Sequence, residues 1–331
     1  MPRDSASLRR TVKGVALATS LLATITTNAH AAEFGTGPWV KGYSDIFSGI
    51  LPPVPGVYVR NDAYHYDGSA NRTVFDGLVQ IGVEEKYLAD IMAVTYVTSA
   101  KILGGTYAFA VAPSVVDMNV DVNVGIGRFT VPVGPVNIPV GPFSFNFSDS
   151  EVALGDTAFA PLILGWNAGN FYWNFTLFGF APTGDYNVHQ LANTSQNHWA
   201  VMPRLAATYF DPKTGWEASG AAIYSVSWEN PATNYETGNI LNLEGAITKN
   251  FGPLGVGGVA YAMIQTTPDS GAGARLGSFE SQVFGIGPIV SLTLGGATPT
   301  PLTLLVKWYH EFDAENTFEG NTVDGAFSFK F

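Results

Sequence analysis

The sequence of 331 residues contains no cysteine and is poor in charge, since only 13% of its residues are Asp, Glu, Lys or Arg. Without cysteine, disulfide bonds, thiolate metal sites and cysteine nucleophiles are excluded. Soluble domains carry about 25% charged residues, so this composition is not that of a typical cytosolic enzyme. The net charge is −11. No nucleic-acid partner is expected, because binding to nucleic acid depends on a basic surface.

The sequence also lacks an apolar run long enough to cross a membrane as a helix, which takes about 20 residues. Its most apolar stretch, 14–25, is shorter than this and follows four basic residues. Small residues at positions 29 and 31 then match the site at which export signals are cleaved. We therefore predict that 1–31 is a cleaved signal peptide. The segment 32–56, which contains four prolines, is predicted to be an irregular lead-in.

What the sequence has in abundance is alternation of polar and apolar residues. From residue 57 onward, segments of this kind are separated by clusters of Gly, Pro, Asn and Asp, which is typical of antiparallel strands joined by turns. No segment has a convincing helical period. The predicted strands are 57–66, 87–98, 101–113, 153–166, 170–181, 199–210, 215–227, 238–250, 254–266, 280–294, 302–313 and 322–331.

The connections between these strands alternate between short and long. Short turns at one end and long loops at the other are typical of outer-membrane barrels, whose turns face the periplasm. We predict an all-β fold over 57–331, a transmembrane antiparallel up-and-down β-barrel of about 12 strands with both termini periplasmic. Its expected location is the outer membrane of a Gram-negative bacterium. The segments 67–86 and 114–152 are predicted loops, although a strand pair drawn from 73–85 or 115–124 leaves 14 strands as the alternative.

Within each strand, the alternation assigns apolar side chains to the lipid and polar ones to the lumen. In 302–313, for example, Val306 and Trp308 fall on one face and Lys307 on the other. The candidate lumen-lining residues are Arg204, Glu217, Glu244, Lys307, Tyr309 and Glu311. Their mixed signs argue against a strongly ion-selective pore, which would use a ring of one sign. The alternative is a sealed network of ion pairs that braces the wall.

The last strand places Phe327, Phe329 and Phe331 on one face and ends the chain with an aromatic residue. This pattern resembles the assembly signal of bacterial outer-membrane proteins. The expected partners are therefore outer-membrane lipids and the barrel assembly machinery, and the protein is expected to be a monomer.

Several short motifs resemble one family in order along 57–331. They are Gly155-Asp156-Thr157, Pro161-Leu162-Ile163-Leu164-Gly165-Trp166, Ala181-Pro182-Thr183-Gly184-Asp185-Tyr186, Leu191-Ala192-Asn193, Asn197-His198-Trp199, Asn230-Pro231-Ala232-Thr233-Asn234-Tyr235, Glu236-Thr237-Gly238, Asp269-Ser270-Gly271-Ala272-Gly273-Ala274 and Trp308-Tyr309-His310-Glu311-Phe312. Together with Phe331, they are similar to the meta-pathway phenol degradation proteins of the outer membrane.

This resemblance implies a channel or transporter associated with the breakdown of aromatic compounds. It supplies no catalytic or ligand-contacting residues. We expect passive uptake of a small hydrophobic or aromatic solute, and the motif residues are candidates for the pore mouth. They are Asp156, Trp166, Pro182, Thr183, Gly184, Asp185, Tyr186, Asn193, Trp199 and Tyr235. Their turn chemistry is the alternative explanation, since Pro, Gly, Asn and Asp favour turns.

The sequence contains no motif of a known catalytic class, and its histidines have no metal-ligand spacing. We therefore predict no enzymatic activity, no cofactor and no metal. The enzyme alternative is a barrel-based lipid hydrolase, since His310 falls on the apolar face of its strand beside Phe312. A structural surface protein without transport is the third hypothesis.

Overall fold

The computed structural model describes residues 36–74, 78–133, 136–274, 280–296 and 301–331, so the predicted signal peptide lies outside the described residues. Within these ranges no helix is long and apolar enough to cross a membrane. The strands are β1 Gly56–Val74, β2 Val79–Ile102, β3 Gly105–Ala112, β4 Ser114–Ile126, β5 Phe129–Val133, β6 Val136–Val140, β7 Phe143–Leu154, β8 Thr157–Ala168, β9 Phe171–Ala181, β10 Ala200–Asp211, β11 Trp216–Ser227, β12 Ile240–Phe251, β13 Leu254–Gln265, β14 Gln282–Leu294, β15 Leu302–Glu315 and β16 Glu319–Lys330.

Twelve of these strands form a closed antiparallel barrel, in the order β1, β2, β3 and then β8 to β16. The barrel closes because β1 pairs with both β2 and β16. The amide of Phe331 extends this seam by donating to the carbonyl of Val57. The predicted twelve-stranded barrel is confirmed. Short turns such as 103–104 and 169–170 lie at what we call the turn end, and the opposite end is called the loop end.

The predicted loops 67–86 and 114–152 are wrong, because both contain strands. β1 and β2 continue past the barrel with 19 and 24 residues, whereas β8 to β16 have 11 to 14. The first half of β2, residues 79–91, pairs with β4, and β4 pairs with β7. Strands β1, β2, β4 and β7 thus form an extension of the barrel wall at the loop end. The alternation in β4 was visible in the sequence, and 115–124 is a strand as the 14-strand alternative required, but it lies outside the closed ring.

One residue, Pro113, separates β3 from β4. Proline has no amide hydrogen and cannot donate to a strand ladder. Its carbonyl still accepts a hydrogen bond from the amide of Met92. The hydrogen bonds along β2 therefore continue without a gap where its partner changes from β3 to β4. The partners of β3 and β4 are interrupted in the same way, since residues 155–156 separate β7 from β8. The extension is therefore a continuation of the barrel wall and not a separate domain.

The two faces of the barrel differ as the alternation predicts. Large apolar side chains such as those of Leu205 and Ile247 are more than 60% exposed on the outside. Trp216 and Trp228 lie on the same outer face at opposite ends of β11, as expected for aromatic girdles at the two membrane interfaces. The inner face carries the buried polar side chains described below.

We expect Ala222→Arg to lower the free energy of unfolding by about 2–4 kcal/mol, because it places a charge on the lipid face near the bilayer midplane. Ala222 pairs with Leu205 and Leu243, both exposed on the outer face. The matched control is Ala110→Arg, on an inner wall beside a cavity. There the guanidinium faces the open space of the cavity and not lipid, so its cost is smaller. Denaturant unfolding in lipid vesicles measures both, and equal losses would contradict this face assignment.

Candidate functional site: a plugged barrel with an apolar cavity

Residues 36–55 precede β1 and run inside the barrel, and we call them the plug. They contain no helix or strand, in agreement with their four prolines and three glycines. A buried backbone without secondary structure leaves its amides and carbonyls without regular partners, and such groups must find others. In this barrel the partners are side chains of the wall.

Glu244 on β12 binds the first half of the plug. Its Oε1 accepts hydrogen bonds from the indole of Trp39 at 2.9 Å and from the amide of Gly42 at 2.7 Å. Its Oε2 accepts from the amide of Ser44 at 2.7 Å. One buried carboxylate therefore satisfies three donors of the plug.

Glu217 and Thr208 hold the second half in the same way. The Oε1 of Glu217 accepts from the amide of Phe47 at 3.0 Å. The Oγ1 of Thr208 accepts from the amide of Gly49 at 2.9 Å. The plug amides are thus bound by side chains of three adjacent strands, β10 to β12.

Cationic and phenolic groups of the wall bind the plug carbonyls. Lys307 Nζ and Tyr309 Oη both donate to the carbonyl of Gly42, at 2.7 and 3.1 Å. Arg204 Nη2 donates to the carbonyl of Ser48 at 3.2 Å. The wall therefore supplies carboxylate or hydroxyl acceptors where the plug presents amides, and donors where it presents carbonyls.

Ion pairs complete the attachment. Lys41 of the plug pairs with Glu311. Asp45 of the plug pairs with Arg60 at 2.8 Å and with Lys307 at 2.7 Å. Asp45, Lys307 and Glu311 are almost fully buried. Buried charges are tolerated only when they are paired and hydrogen-bonded, and here each charge has a partner across the boundary between plug and wall.

Two glycines make the close approach of plug and wall possible. Gly42 has a φ of +71°, and a Cβ there would lie 2.6 Å from the ring of Tyr309. At Gly49, a Cβ would lie 2.4 Å from the backbone nitrogen of Thr208. Neither position accepts a larger residue unless the plug moves away from the wall.

All six candidate lumen-lining residues point inward and are buried, from 0% exposure at Tyr309 to 8% at Arg204. They contact the plug or its partners and not an open aqueous lumen, so the solvated pore wall expected from the sequence is corrected to a binding surface for the plug. The sequence offered no sign of this, because the plug itself reads only as an irregular segment.

The plug occupies one side of the barrel and leaves a cavity of about 880 Å³ between itself and the wall formed by β1 to β4, β8 and β9. Most of the side chains that line this wall are apolar. Five of them are Val83, Ile91, Val116, Met118 and Phe178. The cavity lining extends from Val122 and Leu191 at the loop end to Pro301 and Lys330 at the turn end. The cavity therefore spans the length of the barrel beside the plug.

The motif residues around Asp156 hold the loop 182–199 over this cavity. Asp156 is buried between β7 and β8, and its carboxylate accepts from the amides of Gly184 at 3.0 Å and Gln196 at 2.8 Å. Burial raises the pKa of Asp156, although the hydrogen bonds that it accepts oppose this shift. Burial likewise lowers the pKa of His198 in the loop.

Further motif residues bind the same loop to β7 and β8 and to itself. Thr183 donates to Thr157 at 2.9 Å, and the amide of Asp185 donates to the carbonyl of Leu154 at 3.3 Å. The side-chain oxygen of Asn193 accepts from the amide of Asn187 at 2.6 Å. Pro182 directly follows β9, where the loop begins.

Tyr186 and Tyr235 connect this loop with its neighbours at the loop end. The hydroxyl of Tyr186 accepts from Asn230 at 3.2 Å, and that of Tyr235 donates to Asp269 at 2.5 Å. The residues of the motifs thus act mainly as turn formers and loop anchors.

Two of the candidate pore-mouth residues lie elsewhere. Trp166 is at the turn end of β8, where its indole donates to the carbonyl of Leu103 at 3.1 Å, so its assignment to the pore mouth is wrong. Trp199 is 53% exposed, and its carbonyl accepts from the amide of Trp228, which places it on the outer face at the loop end.

His310, the residue on which the hydrolase alternative rests, lies on the outer face as predicted. Its ring stacks on Trp308, and its Nδ1 lies 3.2 Å from the side-chain oxygen of Asn321. Among the described residues no serine hydroxyl makes a hydrogen bond with it.

The sequence missed two parts of this site. The plug residues that bind the wall carry no recognisable motif. Met118, Val120 and Val122 of the cavity wall fall in a predicted loop, although strict alternation of apolar and polar residues over 115–124 was a usable signal.

We expect Glu244→Ala to release the plug and raise the single-channel conductance in planar bilayers. The substitution removes three hydrogen bonds to a carboxylate, each worth about 1.5–3 kcal/mol. The control is Glu229→Ala, which removes an exposed carboxylate from the loop end. An unchanged conductance in correctly folded Glu244→Ala would show that the plug does not limit passage.

Comparison with known proteins supports the family resemblance. The family model described as "Putative MetA-pathway of phenol degradation" matches residues 87–327. None of the curated proteins compared with the chain is similar enough to count as a match.

Among solved structures, the COG4313 outer membrane channel from Pseudomonas putida F1 superposes with a TM-score of 0.58 at 12% identity, covering 86% of this chain and 98% of that one. At this identity the likeness concerns the fold. Pseudomonas aeruginosa OccK7 (OpdD) covers 83% of this chain and 98% of its own at 10% identity, but its TM-score of 0.22 is too low to bear on the fold. Because the family model covers well over half of the sequence, the chain belongs to the family of the MetA pathway of phenol degradation.

Proposed function

We propose that the protein is an outer-membrane channel for the passive uptake of small hydrophobic or aromatic compounds. The observation that carries this proposal is the cavity beside the plug, whose lining reaches both ends of the barrel and is mainly apolar. Ligand pockets for small molecules typically have volumes of about 300–1,000 Å³ and apolar walls. A monocyclic aromatic molecule fits within such a space.

The distribution of polar groups supports an apolar solute. The charged side chains on β10 to β12 and β15 are already bound to the plug, as for Glu244 and Lys307. They are not free to replace the hydration shell of an ion. The opposite wall, which remains open, offers side chains such as Ile91, Val116 and Phe178. A hydrated ion gains little from this surface, whereas an aromatic ring is transferred favourably from water to it.

The family and the fold agree with this proposal. The family description refers to phenol degradation, and the Pseudomonas putida protein of similar fold is described as an outer membrane channel. Export by the predicted signal, insertion by the barrel assembly machinery and function as a monomer form part of the same proposal. No described contact favours catalysis, so a hydrolase is not proposed.

Filling the cavity tests the transport function. We expect Ala112→Trp, on the cavity wall, to slow the uptake of a labelled aromatic compound by cells whose outer membrane is otherwise intact, because the indole occupies the solute path. Ala63→Trp makes the same change on the exposed outer face of β1 and leaves uptake unchanged. Uptake that is independent of the protein, or equal in both variants, would contradict the proposal.

A substitution of the last residue, Phe331, tests whether the chain end is needed for membrane assembly. Phe331 is 86% exposed, and its backbone closes the seam with β1. If the barrel assembly machinery recognises its aromatic ring, Phe331→Asp prevents membrane assembly and leaves degraded or aggregated protein in the periplasm. Surface levels and heat-modifiable electrophoretic mobility measure this. Phe251→Asp at the turn end of β12, which is also exposed, controls for the loss of an apolar contact with lipid.

A further inference from the structure

Glu85 on β2 is a buried carboxyl group that the attachment of the plug does not use. It is 6% exposed and lines the cavity. Within the described ranges it makes no hydrogen bond and no ion pair. A buried polar group without a partner is costly, and in a native structure it calls for an explanation.

The other buried carboxylates of the described residues all have partners. Glu217 and Glu244 accept hydrogen bonds from the plug, and Glu311 pairs with Lys41. The remaining ones have hydrogen bonds or ion pairs as well, and they are Asp45, Asp62, Asp156, Asp269 and Asp324. Asp324 accepts no hydrogen bond but forms an ion pair with Lys307. Among the buried acids of the described residues, Glu85 is the one with neither a hydrogen bond nor an ion pair.

The side chains beside Glu85 on β2 and β4 include Val83 and its β4 partner Val120, which are apolar. The polar neighbours are the phenol of Tyr87, the next inward position of the strand, and the ammonium of Lys41 in the plug. Glu85 lies at the loop end, level with Gly68 of β1 and thus with the start of β16. A solute that enters the cavity from outside encounters this carboxyl group beside an apolar wall.

We propose that Glu85 is the hydrogen-bonding point for the hydroxyl group of a small aromatic solute, so that the channel prefers phenol-like compounds to hydrocarbons of the same shape. The proposal rests on the proposed function, because it requires aromatic solutes to occupy the cavity. A carboxyl oxygen accepts a hydrogen bond from the solute hydroxyl, and the ring packs against the apolar wall.

The test compares 4-fluorophenol with 4-fluorotoluene, which differ in the hydroxyl group, by fluorine NMR titration of the purified full barrel in detergent, against empty micelles. We expect Glu85→Leu to weaken binding of 4-fluorophenol about tenfold, the scale of one lost hydrogen bond, and to leave 4-fluorotoluene unchanged. Glu85→Gln keeps a hydrogen-bonding group and stays within about threefold of the wild type. Glu84→Gln, the adjacent acid on the outer face, has no effect.

The outcomes separate this inference from the proposed function. Retained binding of 4-fluorotoluene by Glu85→Leu shows that the cavity is still folded. If the variant weakens both probes equally, or neither, Glu85 does not recognise the hydroxyl group and the inference fails while the proposed function stands. If the wild type binds neither probe, the cavity does not take aromatic solutes and both fail.

Discussion

The structure depends on one constraint, that an irregular segment of backbone buried inside a barrel must have its hydrogen bonds satisfied. The plug has no strand or helix to supply them, so the wall does. Glu244 accepts from three plug donors, and Lys307 and Arg204 donate to plug carbonyls. The charges inside this barrel are therefore placed by the needs of the plug, and their mixed signs follow from the alternation of amides and carbonyls along it.

The same attachment makes the interior asymmetric. The plug is bound by β10 to β12 and β15 and, through Arg60 and Tyr64, by β1, so the polar side chains of the barrel are concentrated on these strands. The opposite wall is left to small and apolar residues such as Ala160 and Ile163. A barrel with a polar, open lumen would select among hydrated solutes by size and charge. Here the cavity lies between the plug and an apolar wall, a surface that favours solutes whose transfer out of water costs little free energy.

The wall extension adds to this asymmetry at the loop end. Its outer face carries exposed polar residues such as Glu84, Asn119 and Asp121, whereas Val83, Met118 and Val120 on its inner face line the cavity. The loop 182–199 is held opposite this inner face, because the carboxylate of Asp149 on β7 accepts from the amides of Leu191 and Ala192. The extension and the loop thus carry the apolar surface of the cavity outward past the barrel rim, which is where Glu85 lies.

Residue order alone was enough to predict the barrel, because alternation with a period of two and the sorting of connections into turns and loops are local properties of the chain. It placed the inward charges on the right face for the same reason, and it contained an alternating pattern over 115–124 that was assigned to a loop. What those charges bind depends on the folded arrangement of distant segments. Glu244 and the amide of Gly42 are about 200 residues apart, and no local pattern encodes such a contact. The position of the cavity and the unpaired state of Glu85 likewise follow from how the plug fills one side of the lumen, which is a property of packing across the closed barrel.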